Sequence, residues 1–156
     1  MTLWLREFRY RYEHKALTSE DHWLPKLTKR NRPTVLVVDD DPSVLRSLGR
    51  LIRSAGFNAE TFEHPGLLLQ SKIPKANACL LLDVYMPEMN GVELSARLVS
   101  AGCNLPRIMI TARDDEETWH LLEGLKAVGI LHKPFDEALL LDAIGRAVAL
   151  SNSSAR

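Results

Sequence analysis

A chain of 156 residues suits one domain with some length to spare, and 46% apolar with 26% charged residues excludes disorder throughout. Twenty basic side chains balance twenty acidic ones, yet residues 1–32 hold eight basic and four acidic groups, which leaves the rest of the chain at a net −4. A mildly acidic body argues against nucleic-acid binding by the main domain, because phosphate contacts need a clustered basic face.

The first segment, residues 1–32, interleaves basic and aromatic residues in LREFRYRYEHK and holds half of the chain's ten aromatics. Such mixtures can bind nucleic acid or anionic lipid. No helical or strand period persists there, so a poorly ordered N-terminal extension with no assigned function is expected. No apolar stretch of the signal-peptide kind opens the chain, and no run of about 20 apolar residues could span a bilayer. Cys79 and Cys103 lack CxxC spacing or a neighbouring histidine at ligand distance, which argues against a disulfide or zinc site. The expected setting is a reducing cytoplasm, with no membrane contact.

From Pro33 onward, short apolar runs alternate with stretches of helical period. Strands are predicted at Thr34–Val38, Asn58–Phe62, Ala78–Leu82, Arg107–Thr111 and Gly129–His132. Three are almost wholly apolar, as strands covered on both faces should be. The first helix is announced by Asp41 as N-cap and Pro42 at the first helical position. It continues through Val44, Leu45, Leu48, Leu51, Ile52 and Ala55 and stops at Gly56. Further helices are predicted over His64–Ser71, Gly91–Ala101, Asp115–Ala127 (closed by Gly129) and Asp136–Leu150. The acidic run Asp114–Glu117 reads as the start of a helix, where negative charge favours the dipole, and not as a metal site.

Strands alternating with helices predict an α/β fold: a flavodoxin-like, doubly wound, five-stranded parallel sheet of order 2-1-3-4-5 flanked by five helices. The domain is expected over residues 33–150, followed by a polar tail at 151–156, with no output domain in these residues. In such sheets, sites form at the carboxyl ends of strands.

Three acidic side chains stand at those ends: Asp39 and Asp40 after TVLVV, and Asp83 after ACLLL. Carboxylates sharing one pocket repel one another and take up protons unless a cation neutralises them. An all-oxygen set of this kind suits magnesium. Three carboxylates, one divalent ion and Lys133, at the end of the last strand, sum to zero charge.

The motifs VVDDDPSV, DVYMPEMNG, IMITA and HKPF follow the first, third, fourth and fifth strands in that order. Over about residues 33–150 the chain thereby resembles the receiver domains of bacterial response regulators. The resemblance implies that Asp83 accepts a phosphoryl group from a sensor histidine kinase or histidine phosphotransfer protein. It implies magnesium held by Asp39, Asp40, Asp83 and the Tyr85 backbone carbonyl. Thr111 is then the switch hydroxyl that bonds the phosphoryl group, Lys133 pairs with its oxygens, and the peptide bond before Pro134 is cis. The expected role is a signalling module and not a classical enzyme, acting on a downstream target of unknown identity, with phosphorylation-dependent dimerisation left open. Tyr85 and Arg113 occupy positions flanking the phosphoryl group, where they could tune its lifetime. In one departure from the family pattern, Ile130 stands where an aromatic is common, three residues before the lysine.

A pseudo-receiver that binds partners without phosphorylation is the competing reading, and Ile130 is its support. An aspartyl phosphatase would need a second carboxylate two residues after Asp83, where Tyr85 stands.

Overall fold

A computed structural model describes residues 31–154. The expectation for the extension lies, up to residue 30, outside the described residues, as do residues 155 and 156 of the tail. A compact unit begins at Pro33.

Strand β1, Thr34–Val38, is a run of β-branched and leucine residues that suits a pleated surface buried on both faces. It lies second from one edge of a five-stranded sheet ordered β2-β1-β3-β4-β5. The other strands are β2 (Asn58–Phe62), β3 (Ala78–Asp83), β4 (Arg107–Thr111) and β5 (Gly129–His132). All neighbours pair in parallel, and Val38 lies opposite both Phe62 and Leu82. β3 and β4 are buried along their whole length, whereas the edge strands β2 and β5 are partly exposed. The predicted fold class and strand order are those observed.

Five helices complete the described residues: α1 (Pro42–Ser54), α2 (Pro65–Gln70), α3 (Gly91–Ser100), α4 (Glu116–Leu122) and α5 (Glu137–Ser154). On one side of the sheet, Leu36, Val38, Leu80, Leu82 and Met109 form a core with Leu68 of α2, Leu94 and Leu98 of α3, and Leu122 of α4. Strand alternation sends the intervening residues, including Val37, Leu81 and Ile108, to the opposite face, and α1 and α5 pack on the sheet. Each fully buried leucine or isoleucine stabilises the fold by about 1.5–3 kcal/mol relative to exposure.

Asp41 caps α1 as expected, its Oδ1 accepting from the Ser43 amide at 2.8 Å and the Val44 amide at 3.4 Å. Two helices depart from the prediction. α4 ends at Leu122, not Ala127, because Glu123 turns extended and Gly124 adopts φ +79°, a left-handed stop that glycine accommodates without a Cβ penalty. α5 runs on through the expected polar tail to Ser154, where the Ser153 and Ser154 hydroxyls bond back to the carbonyls of Ala149 and Leu150 at 3.1 Å. Ser151 is buried there and accepts from the Ala78 amide at 3.4 Å.

Candidate functional site

Because β1 and β3 are adjacent and parallel, their carboxyl ends bring acidic side chains into one crevice. Asp39 follows β1 directly, its amide continuing the ladder to the Phe62 carbonyl at 3.2 Å. Asp83 is the final residue of β3 and pairs with Ile110, one residue beyond the predicted end of the strand. The phosphoacceptor candidate is therefore held by sheet backbone, not by a loop. Asp39, Asp40 and Asp83 each present a carboxylate oxygen within 4.8 Å of the others. Asp39 and Asp83 are buried and Asp40 is exposed.

Lys133 reaches in from the end of β5. Its Nζ donates to Asp39 Oδ2 at 2.9 Å and lies 3.4 Å from Asp83 Oδ1. Its backbone amide donates to the Thr111 carbonyl at 2.7 Å, which fixes its approach, and the Lys133–Pro134 bond is cis. Burial lowers the Lys133 pKa, but the hydrogen bond to Asp39 and the charges of Asp83 and Asp39 outweigh it and hold the ammonium above its usual range. Burial, then repulsion from Asp39, pushes Asp83 up to about 6 against the attraction of Lys133.

This shift sets a pH dependence. The folded-state pKa of Asp83, about 6, lies above its ordinary value of 3.8. Between those values the folded protein binds more protons than the unfolded one, so the contribution of Asp83 to stability falls as pH rises through the window. Without magnesium, the thermal midpoint of wild type relative to Asp83→Asn, a comparison that cancels the other carboxylates, is expected to fall as pH rises from about 4 to about 6. A pH-independent difference would contradict the assignment.

Thr111 closes β4 and is buried. Its Oγ1 donates to the Arg113 carbonyl and accepts from the Arg113 amide, both at 3.1 Å. Tyr85 Oη lies 2.7 Å from Thr118 Oγ1 on α4, and the Arg113 guanidinium stacks 4.5 Å from the centre of the Tyr85 ring. Ile130, on the edge strand, is 37% exposed. His120 sits on the exposed side of α4 between Glu116 and Glu123, away from the acidic crevice. Cys79 and Cys103 are both free, and burial pushes the Cys79 thiol up to about 12.

Sequence reasoning missed Gly91. A Cβ there would come within 2.3 Å of the Asp83 carbonyl oxygen and 3.0 Å of Met109 Cε. The Gly91 amide also donates to the Val84 carbonyl at 2.8 Å, drawing the loop back under the site. Asn90 then caps α3 in a reciprocal pair with Glu93, at 2.8 and 2.9 Å. The signal was present in the last letters of DVYMPEMNG, an N-cap followed by a residue without a side chain. Because the clash is with backbone, Gly91→Ala is expected to destabilise the protein by about 3 kcal/mol, at the upper end of overpacking costs. Urea unfolding checks this.

A sheet of this order, with an acidic crevice at the carboxyl ends of β1 and β3 and a lysine reaching in from the edge strand β5, defines a receiver class of α/β protein. The model of the response regulator receiver domain family matches residues 35–145, and the chain belongs to that family. It is 39% identical over 111 residues to nodulation protein W of Bradyrhizobium diazoefficiens, covering 70% of this chain and 48% of that protein. It is 36% identical over 117 residues to the response regulator protein TodT of Pseudomonas putida, covering 75% and 52%. The chain thus spans about half the length of these relatives. Among solved structures, the response regulator StyR superimposes with a TM-score of 0.68 at 40% identity, covering 77% of this chain and 61% of that one. FixJ-N gives 0.66 at 31%, covering 74% and 93%. Among the described residues, no helix is long and apolar enough to cross a membrane.

Proposed function

We propose that residues 33–150 form a phosphoacceptor signalling domain in which Asp83 takes a phosphoryl group from a histidine kinase or histidine phosphotransfer protein. The observation that supports this best is the convergence of three carboxylates within 4.8 Å beside the Lys133 ammonium. Clustered hard oxygen donors fit magnesium, which binds oxygen ligands and keeps several waters, so that some carboxylates act through a water. Asp39, Asp40, Asp83 and the Tyr85 carbonyl would hold it. When bound, it supplies positive charge against the carboxylates and the oxygens of the incoming phosphoryl group.

The chain's own residues do the rest. Phosphoryl transfer has a loose transition state with charge on the equatorial oxygens, so alignment and charge stabilisation dominate. An Asp83 oxygen bonds phosphorus as the bond to the donor nitrogen breaks, giving an acyl phosphate. With its pKa at about 6, Asp83 is ionised and nucleophilic at neutral pH. Lys133, already 3.4 Å from Asp83 Oδ1, pairs with a phosphoryl oxygen, and the Thr111 hydroxyl turns to bond another. The altered surface then engages a downstream target of unknown identity, without direct DNA contact by this domain. The setting is cytoplasmic, and dimerisation on phosphorylation is the behaviour to examine alongside target binding.

Intact mass spectrometry after incubation with acetyl phosphate tests the reading. The expected result is one added phosphoryl group that depends on magnesium. A folded protein that gains none would overturn it in favour of an interaction module.

A further inference from the structure

Thr111 is committed twice over. Its hydroxyl has one proton, and that proton is engaged with the Arg113 carbonyl at 3.1 Å while the oxygen receives the Arg113 amide at the same distance. A Thr111 hydroxyl that turned to donate to a phosphoryl oxygen would have to release the Arg113 carbonyl.

Arg113 is in turn tied to the start of α4. Its Nε donates to Asp115 Oδ2 at 2.8 Å, and its terminal nitrogen reaches Glu117 at 3.1 Å. Asp115 is the N-cap of α4, its Oδ1 accepting from the Thr118 amide at 2.8 Å and the Thr118 hydroxyl at 2.7 Å. Having given its proton to Asp115, Thr118 accepts from the Tyr85 hydroxyl at 2.7 Å. Arg113 stacked on Tyr85 completes a ring through Arg113, Asp115, Thr118 and Tyr85. The hydroxyl and amide of Thr118, with Arg113, hold the Asp115 carboxyl down to about 2, so the ring stays charged at any ordinary pH. Tyr85 lies two residues beyond Asp83, so the ring joins the loop after β3 to the first turn of α4.

We propose that Arg113 is the positioning residue that transmits the state of Asp83 to α4: release of its carbonyl by Thr111 loosens the ring and with it the N-terminus of that helix. Ile130, without a polar atom in its side chain, makes no such link. The inference rests on the proposed phosphorylation of Asp83.

The test is hydrogen–deuterium exchange of the full-length protein with and without acetyl phosphate and magnesium, with phosphoryl occupancy read on the same samples by intact mass. In wild type, exchange across residues 114–122 should rise about fivefold or more on phosphorylation, in the range of ordinary coupling between sites. In Arg113→Ala, compared at equal occupancy, exchange there should already be fast and change less than about twofold. Arg113→Lys keeps the charge but loses the planar fork and should respond between the two. Arg113→Ala with the full wild-type response at equal occupancy would overturn the inference. Absence of an adduct on wild type would instead remove the Asp83 reading beneath it.

Discussion

Asp83→Asn is expected to abolish phosphoryl uptake from acetyl phosphate while making the magnesium-free protein more stable. The loss follows because an amide oxygen neither carries the charge nor supplies the nucleophile that a carboxylate does. The gain follows from the cost of ionising Asp83 among buried neighbours. At neutral pH the rise from 3.8 to about 6 corresponds to about 3 kcal/mol against the charged form. Asparagine carries no charge to desolvate and relieves the repulsion from Asp39. Calorimetry at pH 7.5 without magnesium should show a higher midpoint for the variant, and the gap should narrow as magnesium stabilises wild type by binding. An equally or less stable variant would mean that the crevice carries no electrostatic strain. A site that costs stability in order to hold its reactive group is a familiar trade in functional proteins.

Lys133→Ala should slow phosphoryl uptake by about two to three orders of magnitude at saturating magnesium, the usual cost of removing one preorganised charge from a transition state. The ammonium is the only cationic side chain in contact with Asp39 and Asp83 among the described residues, at 2.9 and 3.4 Å. Its removal leaves two buried carboxylates facing each other, so Asp83 should titrate higher still in the magnesium-free variant. The rate of adduct formation under fixed acetyl phosphate is the measurement. A rate within about threefold of wild type would mean that the metal alone supplies the positive charge.

Most of the frame was legible because its signals are local. Four of the five strands have their predicted bounds: β1 and β4 are short, largely apolar runs, and the more mixed edge strands β2 and β5 are bracketed by glycine and proline. β3 differs by one position: an acidic residue reads as the end of a buried strand, yet Asp83 is the last rung of its ladder. The helix ends were harder. Gly124 in LLEGLK marks the stop of α4, but leucines on either side carry a helical period past it. The serines after Leu150 read as tail, although Ser151 is buried against the Ala78 amide and ties the last turn of α5 to the sheet.

For the site, the convergence of Asp39, Asp40, Asp83 and Lys133 could be anticipated, because parallel strand order alone brings those strand ends together. The ring through Tyr85, Arg113, Asp115 and Thr118 could not. Its partners in Tyr85 and Thr118 stand 33 positions apart, and no periodicity records which hydroxyl a tyrosine will meet. The need for glycine at Gly91 was legible only in part: the motif shows an N-cap before it, but not the approach of the backbone oxygen that leaves no room for a Cβ.

The central claim is that Asp83 carries the phosphoryl group. An acyl phosphate can be trapped by borohydride reduction, which leaves a lasting mass change at the residue that bore it. Phosphorylated protein should therefore yield, after reduction and digestion, a single modified peptide with the change at Asp83. A change at Asp39, Asp40 or any other carboxylate, with Asp83 intact, would contradict the account.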